Sequence, residues 1–144
     1  MTPRINVART LAGGLLAGVV LIAANVVAQV VLSERVQHEM NTWMAGAADR
    51  MQASGAGVAA GIAMKLVIGA ILVWLYAAAR PRLGPGAKTA SFIAVTVWLL
   101  AAIFFSDFPL TGMISWATYA RLEALQLLAF LAAAWAGAAV YREP

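Results

Sequence analysis

Cysteine is absent from the 144 residues, histidine occurs once, and only six residues are acidic. The first absence excludes disulfide scaffolds, thiolate nucleophiles and thiolate metal sites. His38 stands alone, without a ligand set around it, so neither a protein-built metal centre nor a haem ligand is expected. It reads as a solvated polar-face residue, with a pH-sensitive or ligand-contacting role as the alternative. GxSxG, HExxH, P-loop and CxxC patterns are missing as well. No cofactor is expected, and the chain does not read as an enzyme. Charge of either sign is scarce: 11% of residues are Asp, Glu, Lys or Arg, against about 25% in a soluble domain.

What fills the chain is hydrocarbon, with apolar residues at 63%. They fall in runs long enough for four spans of about 20 residues joined by short connections, hence one membrane domain over 1–144. The net charge of +4 would suggest nucleic acid in a soluble protein. Here the basic residues sit at the ends of apolar runs, where they report topology and contact with lipid headgroups. The bilayer is the expected partner, and nucleic acid is not.

The first span is read over about 10–32. Arg4 and Arg9 ahead of an apolar stretch imitate a signal peptide, but the run is long enough to span, and a retained helix is expected. Gly14 and Gly18 form a GxxxG pair, and Asn25 and Gln29 continue roughly the same stripe. From 34 to 53, Val36, Met40, Trp43, Met44, Ala47 and Met51 recur at helical spacing among polar residues. This segment reads as an amphipathic helix lying in the membrane interface or over the bundle, started by Ser33.

The second span, about 58–79, carries the most informative pattern. Gly57, Gly61, Lys65 and Gly69 are four apart and share one helix face. Glycines admit a close neighbour, and a lysine on their stripe should face the bundle and pair with Glu123 or Asp107, with snorkelling to the outer interface as the alternative. The basic, proline- and glycine-rich residues 80–88 read as a tight hairpin that no helix continues through. The third span, about 88–105, ends near Asp107. A fourth, about 112–141, contains Glu123 and a small-residue stripe through Gly137. The expected fold is thus all-α: a four-transmembrane-helix bundle with one extra interfacial helix between spans 1 and 2. Gly14, Gly18, Gly57, Gly61, Gly69 and Gly137 are the expected packing positions. Lys65, Glu123, Asp107, Asn25 and Gln29 all fall at a similar depth and form a candidate polar cluster.

Six of the ten basic residues (Arg4, Arg9, Arg80, Arg82, Lys88 and Arg142) fall at the termini and the hairpin. By the positive-inside rule both termini are cytosolic. The stretch VWLYAAARPRLGPGAKTA at 73–90, with the ending Ala-Val-Tyr-Arg-Glu, resembles a family of small bacterial four-span membrane proteins of unknown function. The resemblance implies a multi-pass protein of the bacterial cytoplasmic (inner) membrane, and it brings no activity or site residues with it.

Two functional readings follow. The first is a structural or accessory subunit that packs with itself or with a larger membrane complex, on the strength of the small-residue stripes. The second is a small dimeric transporter or a binder of lipid or apolar ligand. Small multidrug exporters also have four spans but use a carboxylate in the first, where this chain has Asn25 and Gln29.

Overall fold

The computed structural model describes residues 5–46 and 54–141, and those residues are almost wholly helical. Among the described residues five helices follow one another: α1 Val7–Trp43, α2 Gly55–Leu83, α3 Ala87–Phe105, the single turn α4 Asp107–Leu110, and α5 Trp116–Val140. Among the described residues four segments are long and apolar enough to cross a membrane, with α3 and α4 counting together as one.

The starts are set by side chains that satisfy the free N–H groups of a first turn. Asn6 accepts from the Arg9 N–H at 3.2 Å, Ser54 from Gly57 at 3.2 Å, and Ser115 from Thr118 at 3.2 Å. The fourth span accordingly begins at Trp116, after a turn through Gly112 at φ 78°. Its expected start at 112 lies too early.

Two further expectations about the helices need correcting. Residues 34–43 do not form a separate interfacial helix; they extend the first span, so that α1 runs unbroken for 37 residues. That is roughly 55 Å, against a hydrocarbon core of about 30 Å. The reason is that Ser33 lies within a helical run of good helix formers, with neither glycine nor proline to turn the chain. Residues 47–53, the remainder of the expected interfacial helix, lie outside the described residues.

The second correction concerns Pro81, which lies inside the last turn of α2. A proline removes one backbone bond, here the one to the carbonyl of Ala77, but so near the end it does not stop the helix. The stop comes from Gly84 and Gly86, at φ 82° and 115°. The loop is then pinned: the Gly86 N–H donates to the Tyr76 hydroxyl at 3.0 Å, and Thr89 donates to the Gly84 carbonyl at 2.7 Å.

Helix α1 packs along both α2 and α5, while α3 leans chiefly on α5. The closest crossing is between α1 and α2. A Cβ at Gly14 would stand 2.6 Å from the Cα of Ala70, and one at Gly18 would stand 2.7 Å from that of Leu66. A Cβ at Gly69 would strike the backbone of Gly14 and Gly18. On the other flank Gly13 faces Gly137, whose carbonyl would meet a Gly13 Cβ at 2.7 Å. The core between the helices is correspondingly lined by small residues, Ala17, Ala90, Ala94 and Ala133, with Leu72 and Val73 as its largest fully buried apolar side chains. Close backbone approach of this kind gains dispersion contacts where lipid offers no hydrophobic drive.

Gly57 and Gly61 do not join this packing. Gly61 has open space where a Cβ would stand, and Gly57 is an exposed first-turn residue capped by Ser54. Their half of the stripe lies before α2 reaches α1. Every residue from 54 to 64 is exposed within this chain.

Candidate functional site

Where α2 and α3 part from each other, α5 forms the floor of a cavity of about 220 Å³. Its walls are mostly hydrocarbon: Met64 and Ile68 from α2, Trp98, Ala101 and Phe105 from α3, and Phe130 from α5. Three polar side chains share the same space, Lys65 from α2 and Glu123 with Gln126 from α5. Lys65 and Ile68 are three apart on α2, and Glu123, Gln126 and Phe130 follow at three and four on α5. Each set therefore lies on one helix face.

Two hydrogen bonds hold the α3 and α5 walls together. The Trp98 indole N–H donates to the backbone carbonyl of Glu123 at 3.0 Å. The Tyr119 hydroxyl donates to the backbone carbonyl of Ala102. Both bonds tie a side chain to a carbonyl on the facing helix, which fixes the register of α3 on α5 around the cavity. Among the described residues lining the cavity, none from α2 makes such a tie, so Lys65 stands on the less tethered wall.

The five residues of the expected polar cluster are thus divided. Lys65 and Glu123 line the same cavity, yet among the described residues they form no ion pair. Asn25 and Gln29 bond to each other instead, the Gln29 amide donating to the Asn25 Oδ1 at 3.3 Å along α1. Asp107 is exposed at the start of α4. The physical reason is rotational: equal depth along four helices does not make their faces converge. Among the described residues, no group of three or more His, Cys, Asp or Glu is placed to hold a metal ion.

A second polar constellation lies beyond the cavity, at the start of α5, and has no signature in the sequence. Glu39, on the extension of α1, accepts from the Ser115 backbone N–H at 2.7 Å and the Ser115 hydroxyl at 3.0 Å. It also accepts from the Thr118 hydroxyl at 2.7 Å. A carboxylate set against a helix N-terminus is favoured by the free N–H groups and the helix dipole. Beneath it Met40 and Ile114 are buried together, with Val36, Phe108, Tyr119 and Leu122 packed around them. The apolar stripe expected on 34–53 therefore contacts the start of α5 at Val36 and Met40. Trp43 remains exposed, as does His38. The S-x-x-T cap at Ser115 could have suggested the acceptor's partner, but nothing in a single sequence pairs it with Glu39.

No family model matches the chain, and no curated protein or solved structure matches it. What the site can do follows from its own geometry.

Proposed function

We propose that this chain is a small integral membrane protein that takes up an amphiphilic ligand in the cleft between α2, α3 and α5. The observation that supports the reading is the presence of Lys65 and Glu123 on the walls of one largely apolar cavity. A lysine at mid-helix in a bilayer costs roughly 2.5–3.5 kcal/mol on insertion scales, less near the edge. Such groups persist where they face a partner or a hydrated space. Lys65 and Glu123 do not pair with each other, and Gln126 beside them adds an amide donor and acceptor. A ligand with a polar head and a hydrocarbon body would meet both parts of this lining.

The cleft is smaller than the roughly 300–1,000 Å³ usual for a small-molecule site. It would hold the head and first methylenes, with the rest emerging past Met64 and Phe105. Both of those residues are exposed. The test is to purify the full chain in lipid nanodiscs and identify its retained amphiphiles by mass spectrometry. Ala101→Phe, which fills the cleft, should abolish retention, and Lys65→Met should reduce it about tenfold. Equal retention by the native chain and Ala101→Phe would overturn the reading.

A second reading, a structural or accessory subunit packing with itself or with a larger complex, is supported by the exposed start of α2. Gly57 and Gly61 there offer a close approach that no described helix of this chain uses. The mass of the detergent-solubilised protein tests it, and a clean monomer would count against it. Placement in the bacterial cytoplasmic membrane with both termini cytosolic belongs to the same proposal. It is supported by the resemblance of 73–90 and by the basic hairpin.

A further inference from the structure

On the other side of α2 from the Lys65 cleft, and running toward the glycine loop, a second apolar recess lies between α1 and α2. It measures about 580 Å³, and Val7 and Leu11 of α1 face Val67, Ala70, Ile71 and Trp74 of α2 across it. That volume is typical of a ligand site, but the lining offers no polar anchor. The hydroxyl of Thr10, which also borders the groove, is turned back onto the Asn6 carbonyl at 2.9 Å. Whatever lies in the groove is therefore hydrocarbon along its length, and any orientation must be imposed at the groove's end.

The end is set by the continuation of the same helix face. Val67, Ile71, Trp74, Ala78 and Arg82 succeed one another at intervals of four, three, four and four, a single stripe of α2. Arg82 is exposed and lies eight residues beyond Trp74, roughly 12 Å along the axis. A helical Cα–Cβ bond leans toward the helix N-terminus, so the Arg82 side chain starts back in the direction of the groove. Trp74, half exposed, lines the groove at the end nearer Arg82.

We propose that this groove binds one acyl chain of an anionic phospholipid, whose phosphate is held by Arg82. The charge argues for this occupant over a zwitterionic lipid, because a planar guanidinium recognises phosphate oxygens in pairs and a balancing ammonium would weaken the attraction. An apolar helix of a second copy would fill the groove but make no use of the charge at its end. The site is distinct from the cleft around Lys65 and shares no residue with it.

The test uses the full chain in nanodiscs containing equal parts phosphatidylglycerol and phosphatidylcholine, followed by native mass spectrometry of the lipid retained on release. The native protein should keep phosphatidylglycerol in preference to phosphatidylcholine. Arg82→Gln should lower that retention about fivefold, the effect expected of one basic residue near an anionic surface. Lys88→Gln makes the same charge change at the same end but off this face, and it should leave retention unchanged. Val67→Trp fills the groove and should remove the lipid; Val67 is 57% exposed, so the core is spared. Equal loss in Arg82→Gln and Lys88→Gln would reduce the effect to general surface attraction and overturn the proposal. Retention unaffected by Val67→Trp, or a dimer that Val67→Trp alone dissolves, would overturn it as well. Should Val67→Trp fail to fold, the contrast between Arg82→Gln and Lys88→Gln decides the matter unaided.

Discussion

Glu39 and Ser115 are 76 positions apart in the chain, yet the Glu39 carboxylate accepts both the backbone N–H and the hydroxyl of Ser115. Through this pair the long extension of α1 closes over the start of α5. Glu39→Ala removes the acceptor and leaves the first turn of α5 to its own cap. A lost helix cap or hydrogen bond of this kind costs about 1–2 kcal/mol, toward the lower figure where solvent reaches the site. Hydrogen exchange should quicken over 108–120 and stay unchanged over 66–77. Equal protection over 108–120 in the native chain and Glu39→Ala would show that Glu39 does not hold the two helices together.

The glycine stripe of α2 should divide sharply under substitution. Gly69→Ala drives a methyl into the backbone of Gly14 and Gly18, which cannot yield, and should cost about 3 kcal/mol or more. Gly61→Ala meets open space and gains helix propensity, up to about 1 kcal/mol. Thermal unfolding in detergent compares the two directly. Similar midpoints for both variants would mean that α1 and α2 do not cross where the structure has them.

Trp98→Phe keeps an aromatic ring in the cleft wall but deletes the N–H that reaches the Glu123 carbonyl, together with the second ring of the indole. One net hydrogen bond, roughly 0.5–1.5 kcal/mol, should be lost. Hydrogen exchange at the middle of α5 reads this loss locally. An unchanged profile would remove the bond from the account of how α3 is fixed on α5.

The basic hairpin should govern orientation. Arg80 is a poor choice for substitution, since its guanidinium stacks 5.8 Å from the Tyr141 ring centroid. Arg82→Gln with Lys88→Gln removes charge without touching that contact. Reporter fusions at the C-terminus should show a mixed orientation where the native chain gives one. A single unchanged orientation would assign that role to the termini.

Four apolar spans are legible in the sequence because span length and composition are properties of consecutive residues. Gly14, Gly18, Gly69 and Gly137 are legible as packing positions because small residues four apart must share a face. Gly13 is not, since its partner is Gly137 on another helix and no spacing rule joins them. Gly57 and Gly61 fall in with the stripe because periodicity says which residues share a face, not where along the helix a neighbour arrives. The same gap separates Lys65 and Glu123, which share a cavity, from Asp107, Asn25 and Gln29, which match them only in depth. Glu39 is hidden for the opposite reason: its segment reads as a separate helix, and its role appears only when that segment continues α1.

Lys65 and Glu123 line one cavity, and the proposed function requires that it admit water and an amphiphile's head while the neighbouring surface faces lipid. Because the chain has no cysteine, a single introduced thiol reports unambiguously. Ala101→Cys places it on the cleft wall, and Leu100→Cys places it one residue away, where the native side chain is 64% exposed at the outer surface of α3. A charged thiosulfonate reagent needs water and thiolate. In membranes it should therefore label the Ala101→Cys variant at least tenfold faster than the Leu100→Cys variant, and a single-chain amphiphile should slow only the former. Equal labelling of the two variants, or labelling of Ala101→Cys that amphiphile leaves unchanged, would contradict the chamber.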